Sequence, residues 1–405
     1  MSELVLDRAS DKKSKIRSLI GAAFLMATSA IGPGFLTQTT VFTQKLQASL
    51  AFVIAMSIII DIIVQLNIWR IIAVTERRAQ DIANMVVPGL GYVISALIVL
   101  GGFVFNIGNI AGAGLGIHIL FPQIPIVVGA LISAIIAVFI FVSKDASKLM
   151  DYFILVLGTI LILLMLYVAY QSSPPVVSAL KAVVLPESIS FMAIVTLVGG
   201  TVGGYITYAG GHRLLDVGVK GKSAIKVINK SAISAISIAS VIRVLLFLAA
   251  LGVISQGVNL NPSDPAGSVF SYAAGAIGYK FFGFVLWAAS ISSVIGAAYT
   301  STSFVQTFHP WCERYKNTLI IAFIVISTLI FASIGKPVTV LILAGAVNGM
   351  ILPLTLFVML LAVYKKSIRS HYRHPVWLTV TGLLVVIVMA YMSIAVIGNL
   401  SGSLF

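Results

Sequence analysis

The chain has 405 residues, of which 59% are hydrophobic and 9% charged, with a mean hydropathy of +1.09. Soluble domains carry roughly 25% charged residues, so this chain lacks the polar surface to face water on all sides; a soluble enzyme, a secreted disulfide scaffold and a nucleic-acid binder are excluded. The net charge of +14 is read by position, because basic residues in a membrane protein mainly set its orientation.

Apolar stretches of the roughly 20 residues a spanning helix needs recur along the chain. Eleven are expected, at about 16–44, 47–72, 91–119, 124–142, 150–170, 189–216, 232–254, 279–306, 317–334, 338–363 and 376–398. The fold class is therefore an all-α polytopic membrane protein embedded in a lipid bilayer. Residues 1–15 precede the first stretch as a cytoplasmic segment. The start resembles a signal peptide, with Ala27-Thr28-Ser29-Ala30 where a cleavage site would fall. That reading is rejected, because a Gly-Pro-Gly break and more helix follow.

Lysines and arginines test the layout. With a cytoplasmic N-terminus, 21 of the 26 fall in inner segments, while Lys45, Lys181, Lys280 and Lys336 fall outside. The odd count of spans then puts the C-terminus on the extracytoplasmic side. Arg243 is left within a span. Cys312 is the lone cysteine, so neither an internal disulfide nor a cysteine metal site is indicated.

Two spans are interrupted. The first holds Gly32-Pro33-Gly34-Phe35-Leu36-Thr37-Gln38, where Pro33 removes a donor and bars its neighbour from helical geometry. The sixth holds Gly199-Gly200-Thr201-Val202-Gly203-Gly204-Tyr205, followed by Thr207 and Tyr208. Broken membrane helices are tolerated where they line protein or a water-filled cavity. Breaks five spans apart fit a five-plus-five inverted repeat, 16–170 and 189–363, with 376–398 as an added helix and binding sites at the discontinuities. The row Gly108, Gly112, Gly116 is read instead as close helix packing.

Several strings, in order, resemble the NRAMP family of proton-coupled divalent-metal transporters, which share the leucine-transporter fold. They are Val64-Gln65-Leu66, Val74-Thr75-Glu76-Arg77, Asp81-Ile82-Ala83, Gly200-Thr201-Val202 and Leu352-Pro353-Leu354. The resemblance covers most of the ten-helix core, but the family's functional residues do not carry over. Its Asp-Pro-Gly-Asn motif falls on Gly32-Pro33-Gly34-Phe35, its sixth-span Met and His fall on Gly203 and Tyr205, and its Asp-x-x-Glu pair falls on Asn106 and Asn109. Amides cannot take up a proton near neutral pH. No metal site and no cofactor is expected.

A half-helix N-terminus favours an anionic group, which suits a carboxylate. Gly32, Gly34, Phe35, Thr37, Gln38, Gly203, Gly204, Tyr205 and Tyr208 are the candidate substrate contacts, and the substrate is expected to be a small polar or anionic, amino-acid-like solute. Divergent members of the kind this chain resembles are encoded beside 5-oxoproline breakdown enzymes, which makes 5-oxoproline a candidate. Asp61 and Arg243 lie mid-span, where a lone charge is costly. They are read as a structural ion pair, or, more sharply, as Arg243 holding the substrate and Asp61 titrating. Asn106, Asn109, Ser292 and Ser293 are candidates for coupling or gating, with sodium or protons as the coupling ion. His212 is expected as a solvated residue at a span end, or a pH-sensitive gate. A magnesium or manganese carrier and a non-transporting sensor are the competing readings. The pattern carries no signal for an assembly state.

Overall fold

The computed structural model describes residues 32–306 and 308–402. The expected segment 1–15 and the beginning of the first span lie outside the described residues. Pro33–Leu46 (α1) starts with proline at its first position, where a missing N–H leaves no helical bond unmade. A 3-10 turn joins it to Leu50–Thr75 (α2). Ala79–Val86 (α3) is a short connecting helix. Leu90–Leu120 (α4) follows Gly89, whose φ of +89° only glycine adopts readily. Ile126–Val142 (α5), Lys144–Gln171 (α6) and Val176–Ala182 (α7) come next.

Phe191–Gly199 (α8) is capped by Ser190, whose Oγ accepts from Ala193 N at 3.2 Å. Ile206–Asp216 (α9), Ile225–Ser255 (α10) and Pro265–Ser303 (α11) follow. Asp264 caps α11, its Oδ1 accepting from Gly267 N at 2.9 Å. The remaining helices are Pro310–Arg314 (α12), Lys316–Ile334 (α13), Pro337–Ala362 (α14), Lys366–Arg369 (α15) and Val376–Gly402 (α16).

By length and composition, seven helical stretches among the described residues can cross a bilayer, and an eighth is a pair bent by 107° at 172–175. The first, Pro33–Thr75, takes in two of the expected spans, the sixth expected span is divided into pieces of nine and eleven residues, and α5 has 17.

Packing follows the small residues. A Cβ on Gly116 of α4 would lie 2.7 Å from Trp287 N and 2.9 Å from Gly283 O, so α4 and α11 touch almost backbone to backbone. One on Gly112 would overlap Pro33, which seats the start of α1 against α4. The glycine row of α4 is thus a packing surface. Large apolar side chains such as Ile135, Phe139 and Ile387 face outward, at 71%, 70% and 66% exposure, as a bilayer-facing surface requires.

Candidate functional site

The site is built where two helix starts meet two charged side chains. Gly32 has an extended backbone and caps α1, whose first described turn is Pro33, Gly34 and Phe35, all buried. The first amides of a helix have no intrahelical acceptor, so Gly34 and Phe35 supply N–H groups that Pro33 cannot. Between α8 and α9, residues 200–205 form turns in place of a continuous helix, as the glycine-rich string predicts.

Arg243 of α10 reaches this point. Its guanidinium carbon lies 4.1 Å from the centre of the Phe35 ring, and its Nη1 donates to Thr201 Oγ1 at 2.9 Å. The residue is 2% exposed, and neither Nε nor Nη2 has a hydrogen-bond partner in the protein. Asp61 of α2, 1% exposed, lies near enough to feel both the Thr201 hydroxyl and the Arg243 charge, while its Oδ1 is without a partner. Among the described residues the direct ion pairs are Arg78–Asp216 at 3.3 Å and Lys220–Glu76 at 2.9 Å. The expected Asp61–Arg243 bridge is therefore corrected. The Arg243 guanidinium instead bonds Thr201, whose single proton goes to Leu197 O at 2.8 Å, leaving its oxygen to accept from Arg243.

Other predicted contacts are committed to holding the breaks. Gln38 Nε2 donates to Leu341 O of α14 at 2.8 Å, and a Cβ on Gly200 would overlap Gln38 Oε1, so the amide wedges between the sixth-span break and α14. Gly203 and Gly204 pack on α14, with Gly204 N donating to Asn348 O at 2.9 Å. Tyr205 N donates to Asn348 Oδ1 at 3.1 Å, its hydroxyl donates to Gly296 O at 3.3 Å, and its ring is 6.0 Å from that of Phe105. Tyr208 is fully buried with its hydroxyl beside Thr355. Thr37 is buried in the second turn of α1.

The coupling candidates are dispersed. Asn106 Nδ2 donates to Ser327 Oγ of α13 at 3.2 Å, and Asn109 is buried with its Nδ2 unpartnered. Ser293 is buried and Ser292 half-buried, while Ser290 of α11 and Pro33 of α1 both pack on Gly112, whose added Cβ would come within 2.9 Å of the Ser290 Oγ. His212 is not a solvated end residue. It is 2% exposed, stacks on Phe304 with 4.3 Å between ring centres, and its Nε2 accepts from Ala79 N at 3.1 Å.

Sequence reasoning missed Asn348 and the bridging role of Thr201. Asn348 Nδ2 donates to Gly101 O and Ala344 O, both at 2.9 Å, so one side chain ties α4, α14 and the sixth-span break together. The available signal was an isolated amide in an otherwise apolar span, which is costly unless it has partners.

A helix start and an interrupted span that meet at buried charges, inside a helical body with an apolar outer surface, are the features of a membrane protein built around discontinuous helices. The model of the family described as "Natural resistance-associated macrophage protein-like" matches residues 23–399, and the chain belongs to this NRAMP family. Among curated relatives, the uncharacterized membrane protein YcsG of Bacillus subtilis is 60% identical over 376 residues, 93% of each chain. An uncharacterized membrane protein of Haemophilus influenzae is 56% identical over 93% of this chain and 94% of its own. The Eremococcus coleocola manganese transporter has the same fold, with a TM-score of 0.71 at 17% identity over 94% of this chain and 86% of that one. MhsT in complex with L-phenylalanine gives 0.62 at 17% identity, over 92% of this chain and 98% of its own.

Proposed function

We propose that this NRAMP-family transporter works by alternating access as a symporter, carrying a small anionic organic solute rather than a metal ion. The observation that carries the reading is Arg243. A buried guanidinium whose Nε and Nη2 edge has no partner in the protein matches a carboxylate with two parallel hydrogen bonds. The Phe35 face and the first amides of α1 complete the surroundings of that anion. The same positive charge repels a divalent cation. The residues at the family's ligand positions, Gly32, Phe35, Gly203 and Tyr205, offer neither carboxylate, imidazole nor thioether. An amino-acid-bound protein among the neighbours in fold agrees with an amino-acid-like solute, and 5-oxoproline is the candidate to test.

The fuller architecture belongs to the same proposal. It comprises a five-plus-five inverted repeat with an added last helix, a cytoplasmic N-terminus, an extracytoplasmic C-terminus and a prokaryotic plasma membrane, with sodium or protons as the coupling ion.

Uptake into proteoliposomes tests the reading. Labelled 5-oxoproline and amino acids are expected to enter, and Arg243→Gln to abolish entry. Manganese influx that quenches an internal dye, undiminished in Arg243→Gln, would overturn the proposal. The absence of flux for every solute would favour the sensor.

A further inference from the structure

Arg243 is one of two buried charges whose bonding capacity is unfilled. Asp61 is equally buried, and its Oδ1 has no partner. Taking a carboxylate out of water is costly unless it is paired and hydrogen-bonded, and removing a partner from a buried pair costs more than the pair gains. Arg243 and Asp61 do not satisfy each other. Both lie close to Thr201, whose oxygen serves Arg243 and whose proton goes to Leu197 O. Around one hydroxyl, the protein therefore holds a two-pronged donor edge and a carboxylate oxygen that are both unpartnered.

A plain carboxylate would fill the Arg243 edge only. It would leave Asp61 Oδ1 without a donor and add a second negative charge opposite a single positive one. A solute that also carries an N–H beside its carboxylate meets both groups. If that N–H belongs to an ammonium, the buried site is neutral as a whole; if it belongs to a lactam, the hydrogen bond is made but one negative charge remains.

We propose that Asp61 is a specificity-determining residue that accepts a hydrogen bond from an N–H adjacent to the substrate's carboxylate, so that the transporter selects amino or lactam carboxylates over plain carboxylates of the same size. The inference rests on Arg243 binding the carboxylate. It assigns Asp61 a direct contact with substrate, in addition to any part it has in balancing charge. Sites built to bond a substrate N–H reject analogues that lack it far more strongly than sites that merely enclose it, because their buried polar group is then left unpaired.

The test is a matched series measured by competition for uptake into proteoliposomes and by calorimetry on the purified protein. Proline carries an ammonium, 5-oxoproline a lactam N–H, tetrahydrofuran-2-carboxylate a ring oxygen and cyclopentanecarboxylate a methylene; alanine and propionate form the acyclic pair. The N–H compounds are expected to bind at least ~100-fold more tightly than their partners. Preference for proline over 5-oxoproline would identify the ammonium, and the reverse the lactam. Asp61→Asn and Asp61→Leu should reduce the discrimination to within about tenfold, with thermal unfolding in detergent confirming that at least one of them is folded. Equal binding of cyclopentanecarboxylate and proline, both lost in Arg243→Gln, would overturn the role of Asp61 and leave the carboxylate reading standing. Unchanged selectivity in a folded Asp61 variant whose uptake has lost its pH dependence would also overturn it, in favour of proton carriage. If none of the six compounds binds, the carboxylate reading falls and this inference with it.

Discussion

Arg243 holds its guanidinium carbon 4.1 Å from the centre of the Phe35 ring, so a cation from α10 sits on the first turn of a helix that starts beside it. The ring face stabilises the cation without using any of its N–H groups. The arrangement leaves the Nε and Nη2 edge unpartnered and ties Nη1 to Thr201.

Replacing Phe35 by leucine keeps an apolar side chain but removes the ring. A desolvated cation–π contact is worth about 1–2 kcal/mol, so Phe35→Leu should weaken substrate binding by roughly 5–30-fold. The expected pattern in uptake kinetics is a raised KM with the maximal rate little changed, which titration of purified protein can confirm.

Thr201→Val keeps the branched shape and deletes the oxygen that receives Arg243 Nη1. Leaving a buried charged donor without its acceptor costs about 1.5–3 kcal/mol. The unfolding midpoint in detergent should fall by several degrees, as a loss of that size implies. Thr201→Ser should restore most of it, because the hydroxyl returns.

Asn348 is expected to be the most sensitive uncharged polar position. Asn348→Leu strands the Tyr205 N–H, an unpaired buried group worth about 1–3 kcal/mol, and removes the tie from Asn348 to Gly101 O of α4. Since these bonds span α4, α14 and the sixth-span break, transport should be lost even in folded protein. Size-exclusion profiles and uptake measured on the same preparation separate the two effects.

Gly199→Ala puts a Cβ where it would overlap Gly345 O and Gly349 N, which are backbone atoms that cannot swing away. Overpacking of this kind costs about 1–3 kcal/mol or more, and the variant should yield little monodisperse protein. Gly158→Ala, with nothing within 4 Å of the added Cβ, should behave as wild type.

Acid should loosen the segment before α16 through His374. Its Nε2 lies 2.9 Å from Asn67 Oδ1, and Tyr372 donates to its Nδ1 at 3.3 Å, which puts the imidazole's one proton on Nε2. Burial and the nearby Arg70 charge lower its pKa to about 4. A lowered histidine pKa means that the unfolded chain binds the proton more readily. The contribution is therefore complete above about pH 6.5 and declines as the pH falls toward 4. The loss should be on the order of 3 kcal/mol, and His374→Gln should flatten that part of the pH–stability curve.

Much of this molecule is legible in its residues because the bilayer imposes simple demands. Pro33 locates the start of α1 and the glycines at 199–204 the interruption between α8 and α9, since a spanning backbone interrupted there must be buried in protein. Arg243 and Asp61 stand out for the same reason, as charges in spans that are otherwise apolar. The replacement of the family's ligands by Gly32, Phe35, Gly203 and Tyr205 is visible without coordinates. What the pattern does not carry is direction. Tyr205 and Gln38 belong to the expected breaks, but the Tyr205 hydroxyl and Gln38 Nε2 turn toward α11 and α14, because an interrupted helix must find partners in its neighbours before it can offer any to a solute.

Composition and the placement of lysine, arginine, proline and glycine determined that the chain is a helical membrane protein with two interruptions, because lipid penalises every unpaired backbone group in a local way that sequence records. The tertiary structure alone decided which polar groups meet. Asp61, Thr201 and Arg243 are separated by 140 and 42 positions along the chain, and nothing local fixes that they come together. The close approach of α1, α2, α8 and α10 makes that arrangement, and it leaves a donor edge and an acceptor unpartnered near the same hydroxyl.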